Sequence, residues 1–333
     1  MLKSCLKMFL ATSALTLGLA AGSAQAQEEQ KKYTFYHLLW SMTDSIVQLH
    51  VKAGEAYMKS HPNVEIKYLG PEAYDPAEHA RFLDTIINAK PDGIALHISN
   101  PDALLPGLKT AREAGIPVVS VTSHPPTEAD NKKLEGSYLT WVGADERLIG
   151  VRMGERLLQE ETPKRVAYLM AHLGHAGHEM RAEGFFASMP DGVPTDKVAV
   201  GDEPTAAMDV IRSYLAANPD VGAVFGSSPQ NKWITDVLAE LGRTDVKVLT
   251  SDESPSSLEC VLAGLCFATF SQEFPIQGPL AYEIMYQYKE TGMAPVQPIV
   301  TGPLVIDAAN AQMFKDLALT AFGEDGYAEL SPF

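Results

Sequence analysis

Three histidines fall within seven residues, at His172, His175 and His178, and Glu179 follows directly, in the stretch AHLGHAGHEMRAEGFF (171–186). Imidazoles and a carboxylate at that density could ligate a metal, exchange protons, or offer hydrogen bonds to a polar ligand. A spacing of three brings side chains to one face only on a helix. Gly174 and Gly177 interrupt the run, so a single helix through all three is not expected. The chemistry of the stretch therefore depends on the elements around it.

Those elements alternate. YTFYHLLW (33–40) reads as a strand and SIVQLHVKAGEAYMKSH (45–61) as a helix started by Asp44 or Ser45. VEIKYLG is the next strand, and DPAEHARFLDTIINAK is a helix with Asp75 as cap and Pro76 at its first position. DGIALHI, PVVSVTS, YLTWVGA, RVAYLMA, VGAVFGS, VKVLTSD and CFATFSQ continue as strands, with helical stretches among them. Alternating helices and continuously apolar strands predict an α/β fold of doubly wound parallel sheets covered on both faces, and the length fits two such lobes better than one. Ligands of such sheets bind beyond the carboxyl ends of the strands. The segments that follow the strands are WSMTDS (40–45), TSHPP (122–126), AHLGHAGHEMR (171–181), GSSPQN (226–231), SDESP (251–255) and SQEFP (271–275). Their hydroxyls, amides, few charges and one indole suit a small ligand with many hydroxyls.

The chain opens with Lys3 and Lys7, a short apolar run and the tripeptide AQA ending at Ala26, which together read as a cleaved secretory signal peptide over residues 1–26. A periplasmic location is the corresponding expectation. Removing two lysines and no acids moves the formal charge from −16 to −18, which disfavours nucleic acid and anionic membrane as partners. Cys260 and Cys266 remain after the leader; in an oxidising compartment they are either a disulfide or two small buried thiols.

Taken in order, these segments resemble the type I periplasmic sugar-binding proteins of ABC transporters, the ribose- and galactose-binding family. KPDGIALHISNPDALLPGLKTAREAGIPVVSV, LAANPDVGAVFGSSPQNKWITDVLAELG and VKVLTSDESPSSLECVLAGLCFATFSQEFPIQG carry the likeness, which covers nearly all of the chain after the leader. It implies two doubly wound parallel-sheet lobes with a ligand cleft between them, joined by three hinge crossings near residues 144, 273 and 302. The N-terminal lobe would be 27–144 plus 274–301, and the C-terminal lobe 145–273 plus 302–333. By the same likeness Gly174, His175, Glu179 and Arg181 match a ligand-binding loop and helix start, with Arg181 donating a fork of hydrogen bonds to sugar oxygens. Asp252 matches a sugar-binding carboxylate, with a helix cap as its other reading, and Gln272 matches a glutamine at a lobe crossing. His172 and His178 have no counterpart and are expected at the periphery.

Departures from the family pattern are equally specific. Ser228 and Pro229 replace a frequent Asn-Asp, Thr122 and Ser123 replace Asp-Arg, and Val47 and Gln48 replace an aromatic pair. Trp40 is either the stacking face or a core residue, and Asp202 stands where a ring is usual or else caps the next helix. Fewer rings and extra acids point to a linear polyol, a deoxy or branched sugar, or an amino sugar. The partners implied are a small carbohydrate or polyol, an inner-membrane ABC permease and a chemoreceptor, with the protein a monomer. No cofactor and no enzymatic activity are expected. The serines of GSS and TSDES form no nucleophile elbow, no glycine-rich phosphate loop follows the first strand, and His37 and His97 lie within strands. The alternatives are a periplasmic metal-binding protein using His172, His175 and His178, or a sensor feeding a chemoreceptor.

Overall fold

The computed structural model describes residues 31–44, 46–123, 128–228 and 230–330. The expected leader and Ser45 lie outside the described residues, as does the side chain of Ser123. The first elements are β1 (Tyr33–Leu38), α1 (Val47–Ser60), β2 (Val64–Leu69), α2 (Pro76–Asn88), β3 (Gly93–Leu96), α3 (Pro101–Glu113), β4 (Val118–Ser123), α4 (Glu128–Leu134) and β5 (Thr140–Ala144). Next come α5 (Glu146–Leu158), β6 (Val166–Met170), α6 (Ala176–Ala187), β7 (Thr195–Ala199), α7 (Pro204–Ala217), β8 (Ala223–Gly226), α8 (Asn231–Glu240), β9 (Lys247–Leu249), α9 (Pro255–Leu262) and β10 (Thr269–Ser271). The chain ends with α10 (Phe274–Thr291), β11 (Ile299–Val300), β12 (Leu304–Ile306) and α11 (Ala311–Glu329).

One lobe is built on a parallel sheet ordered β11-β5-β4-β3-β1-β2, the other on a parallel sheet ordered β7-β6-β8-β9, with an antiparallel pair β10-β12 beside it. Helices cover both faces of each sheet. In the first lobe Phe35, Val121 and Val142 pack against Tyr282 and Met285 of α10, while Leu38, Ile94 and Leu96 pack against residues of α2 and α3. Both faces of β3 are therefore buried, which is why GIAL reads as an unbroken apolar run. The chain passes between the lobes three times: after β5, between β10 and α10, and between β11 and β12.

Local signals explain several boundaries. Asp75 accepts the N–H groups of Ala77 and Glu78, and Pro76 opens α2, as predicted. The start of α1 is later than predicted: Asp44 accepts the N–H of Ile46 through Oδ1, and the helix begins at Val47. Asp252 does not cap α9, since Ser254 accepts from the N–H of Ser257. Nor does Asp202 cap α7, a role held by Glu203. Both aspartates are thereby left at the cleft.

One close approach matters for the site. A Cβ on Gly150 of α5 would meet the carbonyl oxygen of Arg181 at 2.0 Å, and one on Gly184 of α6 would meet that of Arg147 at 2.0 Å. These two glycines let the helices touch backbone to backbone, which brings the start of α5 against Arg181. The last element, α11, is two helical segments joined at a kink at Gly323 (φ +72°), and the chain after the kink touches both lobes. Its Tyr327 belongs to the core of the second lobe, and the Leu330 that follows it is buried with Trp40, Ile46 and Val47 of the first.

Cys260 and Cys266 are joined as a disulfide with their Cα atoms 5.1 Å apart, closing the turn between α9 and the lead into β10. A loop this short removes about 2 kcal/mol of unfolded-chain entropy when closed. Reduction should therefore lower the melting temperature by roughly 5 °C. A melting curve unchanged by reductant, with thiol titration proving the bond open, would remove the bridge from any account of stability.

Candidate functional site

Residues that follow the strands of both lobes converge on an enclosed chamber of about 20 Å³. The first lobe contributes Trp40 and Asp44 after β1, His97 after β3 and Thr122 at the end of β4. The second contributes His172 and His175 after β6, His178 and Arg181 on α6, Ser228 after β8 and Asp252 after β9, and Gln272 comes from a crossing. The lobes also touch directly beside this chamber. The N–H of Ala176 donates to the carbonyl of Ser99 at 3.0 Å, and Tyr74 stacks on His172 with centroids 5.0 Å apart.

Trp40 is a core residue that also reaches the chamber wall. It is 5% exposed within a core cluster, yet it lines the chamber, with its indole N–H donating to Asp44 Oδ2 at 3.2 Å. Its ring meets His97 edge to face at 5.0 Å. Thr122 holds φ +78° and lies 3.5 Å from His50 Nε2 through its hydroxyl.

The opening histidine stretch folds as a loop and a helix start. His175 caps α6: its Nδ1 accepts the N–H of His178 at 3.3 Å, which places its proton on Nε2. His172 and His178, expected at the periphery, are instead buried and line the chamber beside His175. Their placement follows from α6 starting at Ala176, which turns His178 inward within its first turn. His175 and His178 stack at 4.0 Å and His172 and His178 at 5.2 Å. Burial pushes the basicity of all three below the ordinary imidazole range, and Arg181 lowers His175 and His178 further. Neutral imidazoles with stacked faces suit hydrogen bonding at their edges. Among the described residues no group of three or more His, Cys, Asp or Glu side chains is disposed to hold a metal ion.

Arg181 does not present a free fork. It is 2% exposed, and Nε and Nη2 both donate to Glu146 Oε2, at 2.9 and 2.6 Å. Nη1 donates to the carbonyl of Ser227 at 2.9 Å and to the Ser251 hydroxyl at 3.1 Å, and the guanidinium lies over Phe270 at 4.7 Å. A guanidinium has five N–H bonds, so a single Nη2–H remains for the chamber. Glu146, the group that engages it, lies 35 residues earlier and carries no local signal in the sequence.

Asp252 sits at φ +67° and accepts from Gln272 Nε2 at 2.8 Å on Oδ1. Burial pushes its carboxyl up to about 8, against the pull of Arg181 and the Gln272 bond. Gln272 Oε1, His172 Nδ1 and His178 Nδ1 are buried with no hydrogen-bond partner. Such groups cost free energy unless a ligand or water meets them. The neighbouring Glu253 was overlooked in the sequence, although it lies in the SDESP segment. Its carboxylate accepts the N–H groups of Gln272 and Phe274 at 3.0 and 2.9 Å and so grips the second crossing from the second lobe.

A wider chamber of about 680 Å³ opens beside the enclosed one and shares Asp44, His172 and Ser228 with it. Asp202 belongs here, 3.9 Å from His172 Nε2, with Gln230 and Trp233 on the same wall. Neither Gln230 nor Trp233 was singled out from sequence; their position in the first turn after β8 was the available signal.

Residues 37–292 match the periplasmic binding protein domain. The chain belongs to that family. This periplasmic binding protein is 25% identical over 263 residues to the xylose/arabinose-binding protein of Sulfolobus acidocaldarius, covering 74% of this chain and 64% of that one. It is 27% identical over 188 residues to the ribose import binding protein of Salmonella typhimurium, covering 54% of this chain and 60% of that one. It thus spans about three-fifths of the length of these curated relatives. Among solved structures, the carbohydrate transporter of Acidothermus cellulolyticus in complex with myo-inositol superposes with a TM-score of 0.77 at 23% identity, covering 89% of this chain and 99% of that one. The solute-binding protein of Burkholderia graminis in complex with D-arabinose gives 0.76 at 19% identity, covering 84% and 96%. These likenesses establish the two-lobed periplasmic binding protein fold.

Proposed function

We propose that the protein is the exported solute-binding component of an ABC importer, taking a small sugar or sugar alcohol in the interlobe cleft and delivering it to a membrane permease. The observation that carries this reading is the set of buried polar groups that the second lobe and its crossing turn toward the chamber. Gln272 Oε1 has no partner, Asp252 faces the same chamber, and His172 and His178 add unpartnered ring nitrogens. A ligand rich in hydroxyl donors would complete them, and one bonded to both lobes favours the closed arrangement through its differential contacts. The sugars and the polyol of the relatives, xylose or arabinose, ribose, myo-inositol and D-arabinose, support the same class. The lobes would move as 27–144 plus 274–301 against 145–273 plus 302–333. The leader read at residues 1–26 supports export, and no helix among the described residues is long and apolar enough to cross a membrane. The protein acts as a monomer without cofactor or catalysis, and a chemoreceptor is a second partner for its closed form.

A thermal-shift screen of the ligand-stripped protein tests this, with pentoses, hexoses, amino sugars, linear polyols and divalent metals, because ligands that bind only the native state raise its melting temperature. One sugar or polyol giving several degrees supports the reading; silence from all of them with a response to zinc refutes it. Asp252→Gly is the sharpest site variant, since glycine accepts the left-handed backbone that alanine would strain. It should weaken the responding ligand about 100-fold, by losing a buried hydrogen-bonding group, with the fold retained. Unchanged affinity by calorimetry removes Asp252 from the site.

A further inference from the structure

The two chambers of the cleft differ in size in a way that bears on the ligand. The enclosed one, at about 20 Å³, holds little more than one water molecule. Its space is taken by rings: Trp40 against His97 at 5.0 Å, and His97 against His175 at 4.9 Å. The mouth chamber, at about 680 Å³, lies within the range of small-molecule pockets. Both lobes line it, through Ser41 and Thr43 on one side and Gln230 and Trp233 on the other.

Two features of the mouth point to a ligand. Gln230 is 6% exposed; its Nε2 donates to the carbonyl of Gly201 at 2.9 Å, which fixes the amide and leaves Oε1 buried without a partner. Half-buried Trp233 stands on the same wall, in the first turn of α8. An acceptor beside an indole suits a hydroxylated ring, whose edge donates and whose apolar face packs on the aromatic. Asp202 and Glu203 add carboxylates to this wall, whereas Lys232 is engaged by Asp236 at 2.8 Å, so the chamber favours a neutral, donor-rich ligand over an anion.

We propose that the mouth chamber is a second carbohydrate subsite and that the ligand is longer than one ring, a disaccharide or glycoside whose distal half packs on Trp233. This rests on the transport reading above and extends it. The proximal half sits against the residues that the two chambers share, Asp44, His172 and Ser228, and the distal half completes Gln230.

Calorimetry on the ligand-stripped protein tests it with matched probes: D-xylose against xylobiose, D-glucose against cellobiose, D-galactose against lactose, and methyl against p-nitrophenyl glycosides. The longer member of at least one pair should bind at least about tenfold more tightly. Trp233→Ala should erase that advantage and leave the single ring within about twofold. Thr43→Trp, which fills the chamber from the opposite lobe, should do the same and guards against a folding defect in the first variant. A single ring bound as tightly as its longer partner overturns the subsite and leaves the transport reading standing. An advantage that survives both variants overturns the placement at Trp233. Failure of every probe, single or paired, overturns the transport reading itself.

Discussion

Between pH 6.5 and 5.5 the protein should lose on the order of 3–5 kcal/mol of stability. Seven of its nine histidines are buried with basicity held below the ordinary value: His37, His50, His79, His97, His172, His175 and His178. Burial is the leading cause in each, taking His50 to about 3 and His79 to about 4. In this window the unfolded chain gains protons at these sites, and in the folded chain the six held far down, all but His172, do not. Each such histidine then contributes about 1 kcal/mol of lost stability as pH falls across this unit. Two carboxyls act in the opposite sense. Burial raises Asp252 to about 8 and Glu253 to about 7, so the folded state holds protons that the unfolded state has released. Their stabilisation is complete below about pH 4 and fades as pH rises through 7 to 8. Six histidines outweigh two carboxyls, so stability should fall steeply on the acid side and gently on the alkaline side of a maximum near neutrality. Urea midpoints at pH 5.5, 6.5, 7.5 and 8.5 measure this directly. A midpoint that holds steady down to pH 5.5 would show that water or ligand-like groups reach these rings in solution.

How much of this was legible in the sequence depends on the distance over which each feature is determined. The alternation of strands and helices from residue 33 to 273 was readable because burial on both faces writes continuous apolar runs, as in GIAL of β3. Local caps such as Asp75 were equally plain. The short helix α4 was not assigned, nor was β7, an edge strand whose TDKVA pairs only with β6 and is half exposed. Nothing was assigned beyond residue 273, so α10 and α11 were missed; each carries apolar residues around much of its circumference, because each touches more than one layer. At the site, the loops were identifiable from the rule about strand ends, and Trp40, Asp44, Thr122, His175, Arg181, Ser228, Asp252 and Gln272 do meet at one chamber. What a single sequence does not write is pairing across lobes and between distant helices. The burial of His172 and His175 depends on Tyr74 from the other lobe, and the state of Arg181 on Glu146.

That last pair changes what Arg181→Ala should do. The family resemblance makes Arg181 a ligand contact whose loss spares the fold. The structure makes it the counter-charge of Glu146, itself 1% exposed, and removing one member of a buried pair costs about 3–5 kcal/mol. The carbonyl of Ser227 and the hydroxyl of Ser251 would lose their donor at the same time. Urea unfolding of Arg181→Ala should therefore show a large loss, and Glu146→Ala a similar one, because each leaves the other charge buried. The double variant Arg181→Met with Glu146→Leu should recover most of it, since a buried pair replaced by apolar groups of similar volume is often neutral in stability. Its ligand affinity should nevertheless stay low. Glu146 opens α5 immediately after the first crossing, and Arg181 lies on α6 behind the histidine loop, so the pair fixes the ligand-facing loop relative to the hinge. A double variant that regained both stability and affinity would reduce the pair to packing. Single variants as stable as the parent would mean that the glycine-mediated contact of α5 with α6 holds this corner without it.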